Sequence, residues 1–223
     1  MFGLSKTSRR EPESCSPTEE SLPADSDYRL SGFTAGTRIA TAQGWRTVEA
    51  ITVGDELLTF DNGAQKVVAV TRGAHFACSD TLPAFATPID VPRGTIGNDD
   101  PMVLLPEQPV LVESDAAEAM TGDPFALVPA KALVGFRGIE RFRSLRPVKV
   151  ITLHLENDEL VFFDGGGLLL VPSAIPGTSA LDFIEAAGRP APYKVARGTL
   201  AEALVAAMSK EDARSYRNAT VAA

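Results

Sequence analysis

Between residues 32 and 70 short apolar runs alternate with turn residues, and no helical period intervenes. Arg38–Thr41 is a brief strand, Ala42-Gln43-Gly44 a tight turn whose glycine can take positive φ, and Trp45–Val48 the returning strand. Thr52-Val53-Gly54-Asp55 then turns the chain into Glu56–Phe60. Asp61-Asn62-Gly63 reverses it into Gln65–Thr71, because Asn-Gly accommodates the positive φ of a tight hairpin. Two hairpins this close make a small β-module.

Further along, His75–Asp100 is rich in Gly, Pro and Asp and reads as a low-order insertion. Pro101–Glu113 reads as a strand pair interrupted at Pro106 and Pro109, where proline restricts it to an edge or a bend. Ala116–Gly122 is a short helical or loop piece, and Phe125–Val128 resumes β structure. Val148–Leu155 and Leu160–Phe163 form a hairpin across Glu156-Asn157-Asp158-Glu159, Gly165-Gly166-Gly167 breaks it, and Leu168–Pro172 is the last strand. The end of the chain changes period. Ser179–Ala187 is a helix with Ser179 as N-cap and Gly188 at its C-terminal end. Thr199-Leu200-Ala201-Glu202 matches a capping box opening a helix to about Arg214, with Leu200, Leu204 and Met208 on one face beside Val205. That stripe docks on its own domain. The expected layout is a disordered leader over 1–30, an all-β domain over 31–176 and a helical tail over 177–223.

Charge and composition narrow the partners. The 223 residues are 44% hydrophobic, enough for one core, and carry a net charge of −8 with a pI near 4.9. That balance argues against nucleic acid and anionic membranes, which need concentrated Lys and Arg. Arg137–Arg146 is the exception, and it reads as a solvated strand face rather than a nucleic-acid patch. The leader has Arg9-Arg10 but no apolar segment after it, so it is not a Sec signal, and Pro, Ser, Glu and Asp dominate it. No run reaches the ~18 apolar residues that span a bilayer. The chain is expected in the cytoplasm, or exported by a C-terminal signal, with which the apolar finish Ala219–Ala223 is compatible. Cys15 and Cys78 could form one bridge, though free thiols suit them better, and with His75 and His154 they lack metal-ligand spacing. No metal or cofactor is called for. His75 and Cys78 are too close in sequence to suggest a catalytic dyad, which separated segments usually supply.

The residues GT-x-IAT-x-x-GWR-x-VE from Gly36, followed by VGDELLT-x-D-x-G-x-Q from Val53, resemble the opening block of the Hint (hedgehog/intein) domain, in its bacterial Hint-only form. Gly122-Asp123, Leu127-Val128-Pro129-Ala130-Lys131 and Leu133-Val134 are similar to a second block of those domains. Leu160–Gly165 resembles the strand and turn near the domain's end, so the likeness runs from about Gly32 to about Pro176.

That resemblance implies a Hint-type β-fold and a self-processing family. Its members attack the preceding carbonyl with a Cys, Ser or Thr at the first residue, and a His of a later block protonates the departing amide nitrogen. Here the first position reads Gly32, which has no side-chain heteroatom. Gln108, in Leu104–Leu111, falls on the His position, and an amide delivers no proton at neutral pH. Thr152 sits where the late block has His or Asp, with His154 two residues on along the same strand face. The resemblance therefore implies a scaffold without its reactive groups, a binding or structural module with room for a protein partner that the sequence does not identify. A second reading lets Ser31 or Thr34 attack instead, although neither would point where a side chain at Gly32 points. A third, from a different class, is an aspartic peptidase using Asp61 and Asp164, since both follow an apolar run and precede glycine at one or two positions.

Overall fold

A computed structural model describes residues 30–75, 84–142, 148–173 and 193–221 of the chain. Tyr28, the leader with Cys15, Cys78, and the helix expected at Ser179–Ala187 lie outside the described residues, as does the side chain of His75. The strands in chain order are β1 (Phe33–Thr34), β2 (Arg38–Thr41), β3 (Gly44–Thr47), β4 (Glu56–Thr59), β5 (Gly63–Lys66), β6 (Ala69–His75) and β7 (Ile89–Val91). They continue with β8 (Met102–Leu104), β9 (Pro109–Glu113), β10 (Phe125–Pro129), β11 (Glu140–Arg141), β12 (Val148–His154), β13 (Glu159–Phe163) and β14 (Gly167–Val171). Helix α1 (Asp115–Thr121) lies between β9 and β10, and helix α2 (Thr199–Val221) closes the chain. The fold is mostly β.

The large sheet runs β10-β9-β14-β13-β2-β4-β5 with β3 on β2. Its hairpins are those the turns specify: Thr41 pairs with Gly44, and Thr59 with Gly63, whose φ is +64°. A second sheet joins β1, β12 and β6, and a third joins β11, β7 and β8. Ile39, Leu57, Val110, Phe163 and Leu169 from the large sheet share one core with Ile151 and Leu153 from the second and Ile89 and Leu104 from the third.

Several local expectations give way to tertiary pairing. Gln65–Thr71 is not one strand. Val67 N–H still donates to Asp55, whereas Val68 N–H donates to His154, so the chain changes sheets between two consecutive residues. Val148–Leu155 does not form a hairpin with Leu160–Phe163. β12 pairs with β6 from Val148–His75 to His154–Ala69, and β13 instead turns through Gly165-Gly166 onto β14. A seven-residue register with a distant strand outweighs a short local turn. Pro101–Glu113 also divides, β8 pairing with β7 and β9 with β10 and β14. The insertion from His75 to Asp100 contains strand β7, with Ile89 and Val91 buried around exposed Asp90. Trp45–Val48 ends as a strand at Thr47, and Val48–Ala50 is a 3-10 turn that buries Val48.

Helix α1 follows from its caps and helix α2 from its buried face. Ser114 accepts from Ala117 N–H at 3.0 Å to start α1, and Gly122 at φ +80° ends it. α2 runs past Arg214, and its buried stripe is Ala201, Leu204, Val205 and Met208 in the common core, packed by α1. Leu200, expected on that stripe, is 46% exposed. Arg137, at φ +45°, lies in a turn rather than on a strand face: its guanidinium sits 4.8 Å from the Phe136 ring centre and bonds both carboxylate oxygens of Asp212 on α2 at 2.5 Å. Only Glu140–Arg141 of the basic segment is strand among the described residues.

Leu204→Ala should cost about 2–4 kcal/mol in urea unfolding, while Leu200→Ala should cost less than about 1 kcal/mol. The Arg137 hydrogen bond holds the Asp212 carboxyl below the usual carboxylate range. Its stabilisation is therefore present above the unfolded-state value and lost as pH falls through the lowered folded value. Both side chains are more than a third exposed, so Arg137→Ala should cost about 0–1 kcal/mol at pH 7. That difference should shrink below roughly pH 4, as urea midpoints of wild type and variant would register.

Candidate functional site

Antiparallel pairing of β1 with β12 sets Phe33 against Ile151 and Thr34 against Val150. One step back along that register brings Gly32 to Thr152. Gly32 is buried and has φ +124°, a backbone conformation that favours glycine. A Cβ built on it would meet Val150 Cγ1 at 2.9 Å, Thr152 Oγ1 at 3.0 Å and the Ile151 carbonyl oxygen at 3.2 Å.

Gln108 reaches the same place from the turn before β9. Its side chain is 2% exposed, and its Oε1 accepts from Gly32 N–H at 2.9 Å. Its Nε2 donates to the carbonyls of Leu170 at 2.9 Å and Pro109 at 3.3 Å. The turn itself is held on both sides. Ala130 N–H donates to the Gln108 carbonyl and Lys131 N–H to that of Pro106, while Glu107 N–H donates to Leu30. The Leu-Val-Pro-Ala-Lys segment thus positions Gln108. The structure brings Gln108 and Thr152 to Gly32, with Gly32 and Gln108 buried and Thr152 partly exposed.

The remaining candidates stand apart. His154 is two residues beyond Thr152, roughly 7 Å along β12, opposite Ala69. Its Nδ1 is buried with no hydrogen-bond partner among the described residues. Ser31 is exposed. Thr34 is 5% exposed, and its hydroxyl donates to the Val103 carbonyl at 2.7 Å. A cleft of about 640 Å³ opens beside it, lined by Thr37, Arg38, Asp100 and Asp164 among others, but Gly32, Gln108 and Thr152 do not line it.

The paired-aspartate reading is corrected by the topology. Thr59 pairs with Val161, and Asn62 donates to both oxygens of Glu159, so Asp61 lies at the start of β13. Asp164 follows the end of β13, five residues or roughly 16 Å further on. Each has its own partner: the Tyr193 hydroxyl donates to Asp61, and Arg38 Nε donates to Asp164 at 2.9 Å. Two carboxylates this far apart cannot share a proton. Desolvation and then the Asp61 hydrogen bond push the Tyr193 hydroxyl well above its ordinary value.

Sequence reasoning missed two contributors. Val150 walls the Gly32 position, and the Leu170 carbonyl anchors the Gln108 amide. Neither carries a motif; both are defined by pairing between distant strands. Among the described residues no three His, Cys, Asp or Glu side chains converge as metal ligands, and no helix is long and apolar enough to cross a membrane.

A comparison with curated proteins found no match. Solved structures similar to this chain include a bacterial intein-like domain from Clostridium thermocellum, at 15% identity and TM-score 0.43, covering 63% of this chain and 99% of that one. The MchDnaB-1 intein matches at 20% identity and TM-score 0.36, over 61% of this chain and 98% of that one. The gp41-1 intein matches at 12% identity and TM-score 0.38, over 63% and 97%. A family model described as Hint domain matches residues 31–168, more than half of the sequence. On that match, the chain belongs to the Hint domain family.

Proposed function

We propose that this Hint domain does not process its own backbone and serves as a binding or structural module. The observation that carries the reading is the hydrogen bond from Gly32 N–H to Gln108 Oε1. Backbone cleavage by the family's route needs a side-chain heteroatom on the first residue and an acid at the departing nitrogen. The residue supplying that nitrogen is a glycine, and the group against it is a neutral amide that accepts rather than donates. The amide's own N–H groups point to the Leu170 and Pro109 carbonyls. Groups that act as one unit fail together, so the loss of nucleophile and acid removes nearly all of the rate. Any partner is expected to be a protein, since a net charge of −8 disfavours polyanions.

Attack by Ser31 or Thr34 has less support. The Thr34 hydroxyl is buried and engaged with Val103, and Ser31 is exposed.

Incubation with dithiothreitol or hydroxylamine should leave a single species at the intact mass of 23.6 kDa, for the natural sequence and for Ser31→Ala alike. A fragment ending at Leu30, lost in Ser31→Ala, would overturn the reading. The polar link is instead structural. Gln108→Ala should destabilise by about 1–3 kcal/mol in urea, because the buried Gly32 N–H loses its acceptor.

A further inference from the structure

We infer that the site is closed to any side chain at position 32, so that re-supplying a nucleophile and an acid by substitution does not restore self-cleavage. The inference rests on Gly32 occupying the attacking position, and it adds that space has been lost together with the atom. A side chain at position 32 meets two separate obstacles. One is the backbone: φ of +124° is a conformation that L side chains rarely adopt. The other is the wall, with Val150 Cγ1 at 2.9 Å and Thr152 Oγ1 at 3.0 Å from a Cβ that does not exist. Real Cβ atoms essentially never approach other atoms within 3.0 Å.

The wall has little freedom to withdraw. Val150 is buried on β12 and opposes Thr34 on one side and Gly73 of β6 on the other. The Ile151 carbonyl, 3.2 Å from the same point, is backbone. Position 32 is held through its N–H as well, which is bonded to a Gln108 side chain anchored on Leu170. A thiol placed at position 32 would have to reach the Ser31 carbonyl carbon, form a thioester as the C–N bond broke, and leave its proton on the amide nitrogen. Its Cβ has no place from which to start.

Gly36 supplies the control. It has φ +91°, yet a Cβ there meets nothing within 4 Å. Gly36→Ala therefore carries the backbone cost alone, whereas Gly32→Ala carries that cost and the clash. Gly32→Ala should lower the melting temperature by roughly 5 °C more than Gly36→Ala. Val150→Ala alone should lower it, but in the Gly32→Ala background the same change should raise it, or restore folding if Gly32→Ala does not fold. The double variant Gly32→Cys/Gln108→His should keep its full mass under dithiothreitol. Equal losses at positions 32 and 36, no recovery from Val150→Ala, or cleavage of the Cys/His variant would each overturn the inference. Self-cleavage of the natural sequence would instead overturn the non-processing reading, and would leave the comparison of the two glycines standing.

Discussion

The side chain of Gln108 joins two places that are far apart in the chain. Its oxygen accepts from Gly32, at the entry to β1, and its nitrogen donates to Leu170, on β14 at the far end of the described β domain. The Gly32 N–H is buried, where an unpaired amide is costly, and the Leu170 carbonyl is partly buried, so one side chain satisfies what two strand segments leave open. The turn carrying Gln108 is fixed in its turn by Ala130 and Lys131. The first, middle and last segments of the domain therefore depend on one amide.

A fold does not by itself carry an activity. The strand pairing that sets Gly32 against Thr152 belongs to the β architecture. Chemistry requires particular atoms within those pairs. A glycine in a left-handed backbone conformation, walled by a buried valine and tied to a neutral amide, provides steric fit and hydrogen bonding but no nucleophile. The acids at either end of β13 show the same economy of role: Asp164 bonds Arg38 and the Asp100 N–H, and Asp61 bonds Tyr193. They hold segments together.

Much of the local fold was legible along the chain. Gly44, Gly63 and Gly122 marked turns and a helix end because only a residue free of Cβ strain suits those backbone angles, and each takes positive φ. The opening β-module and most of the apolar stripe of α2 followed from period and turn chemistry, which act over a few residues, whereas the Ser114 cap of α1 emerged only in the structure. The residues Gly32, Gln108 and Thr152 were legible as a set only through resemblance, since nothing in their spacing says that they meet.

Sequence by itself determined the turns, the β character, the acidic balance and the absence of an attacking atom at position 32, because these are properties of single residues and their near neighbours. Tertiary structure decided which strands pair. It sent Val67 and Val68 to different sheets, set β12 against β6 rather than β13, and separated Asp61 from Asp164 along β13. It also decided that Val150 would occupy the space above Gly32. The physical reason is the same in each case: burial of apolar faces and pairing of backbone groups are satisfied over the whole core at once, and a turn of a few residues cannot outweigh a long register with a distant strand.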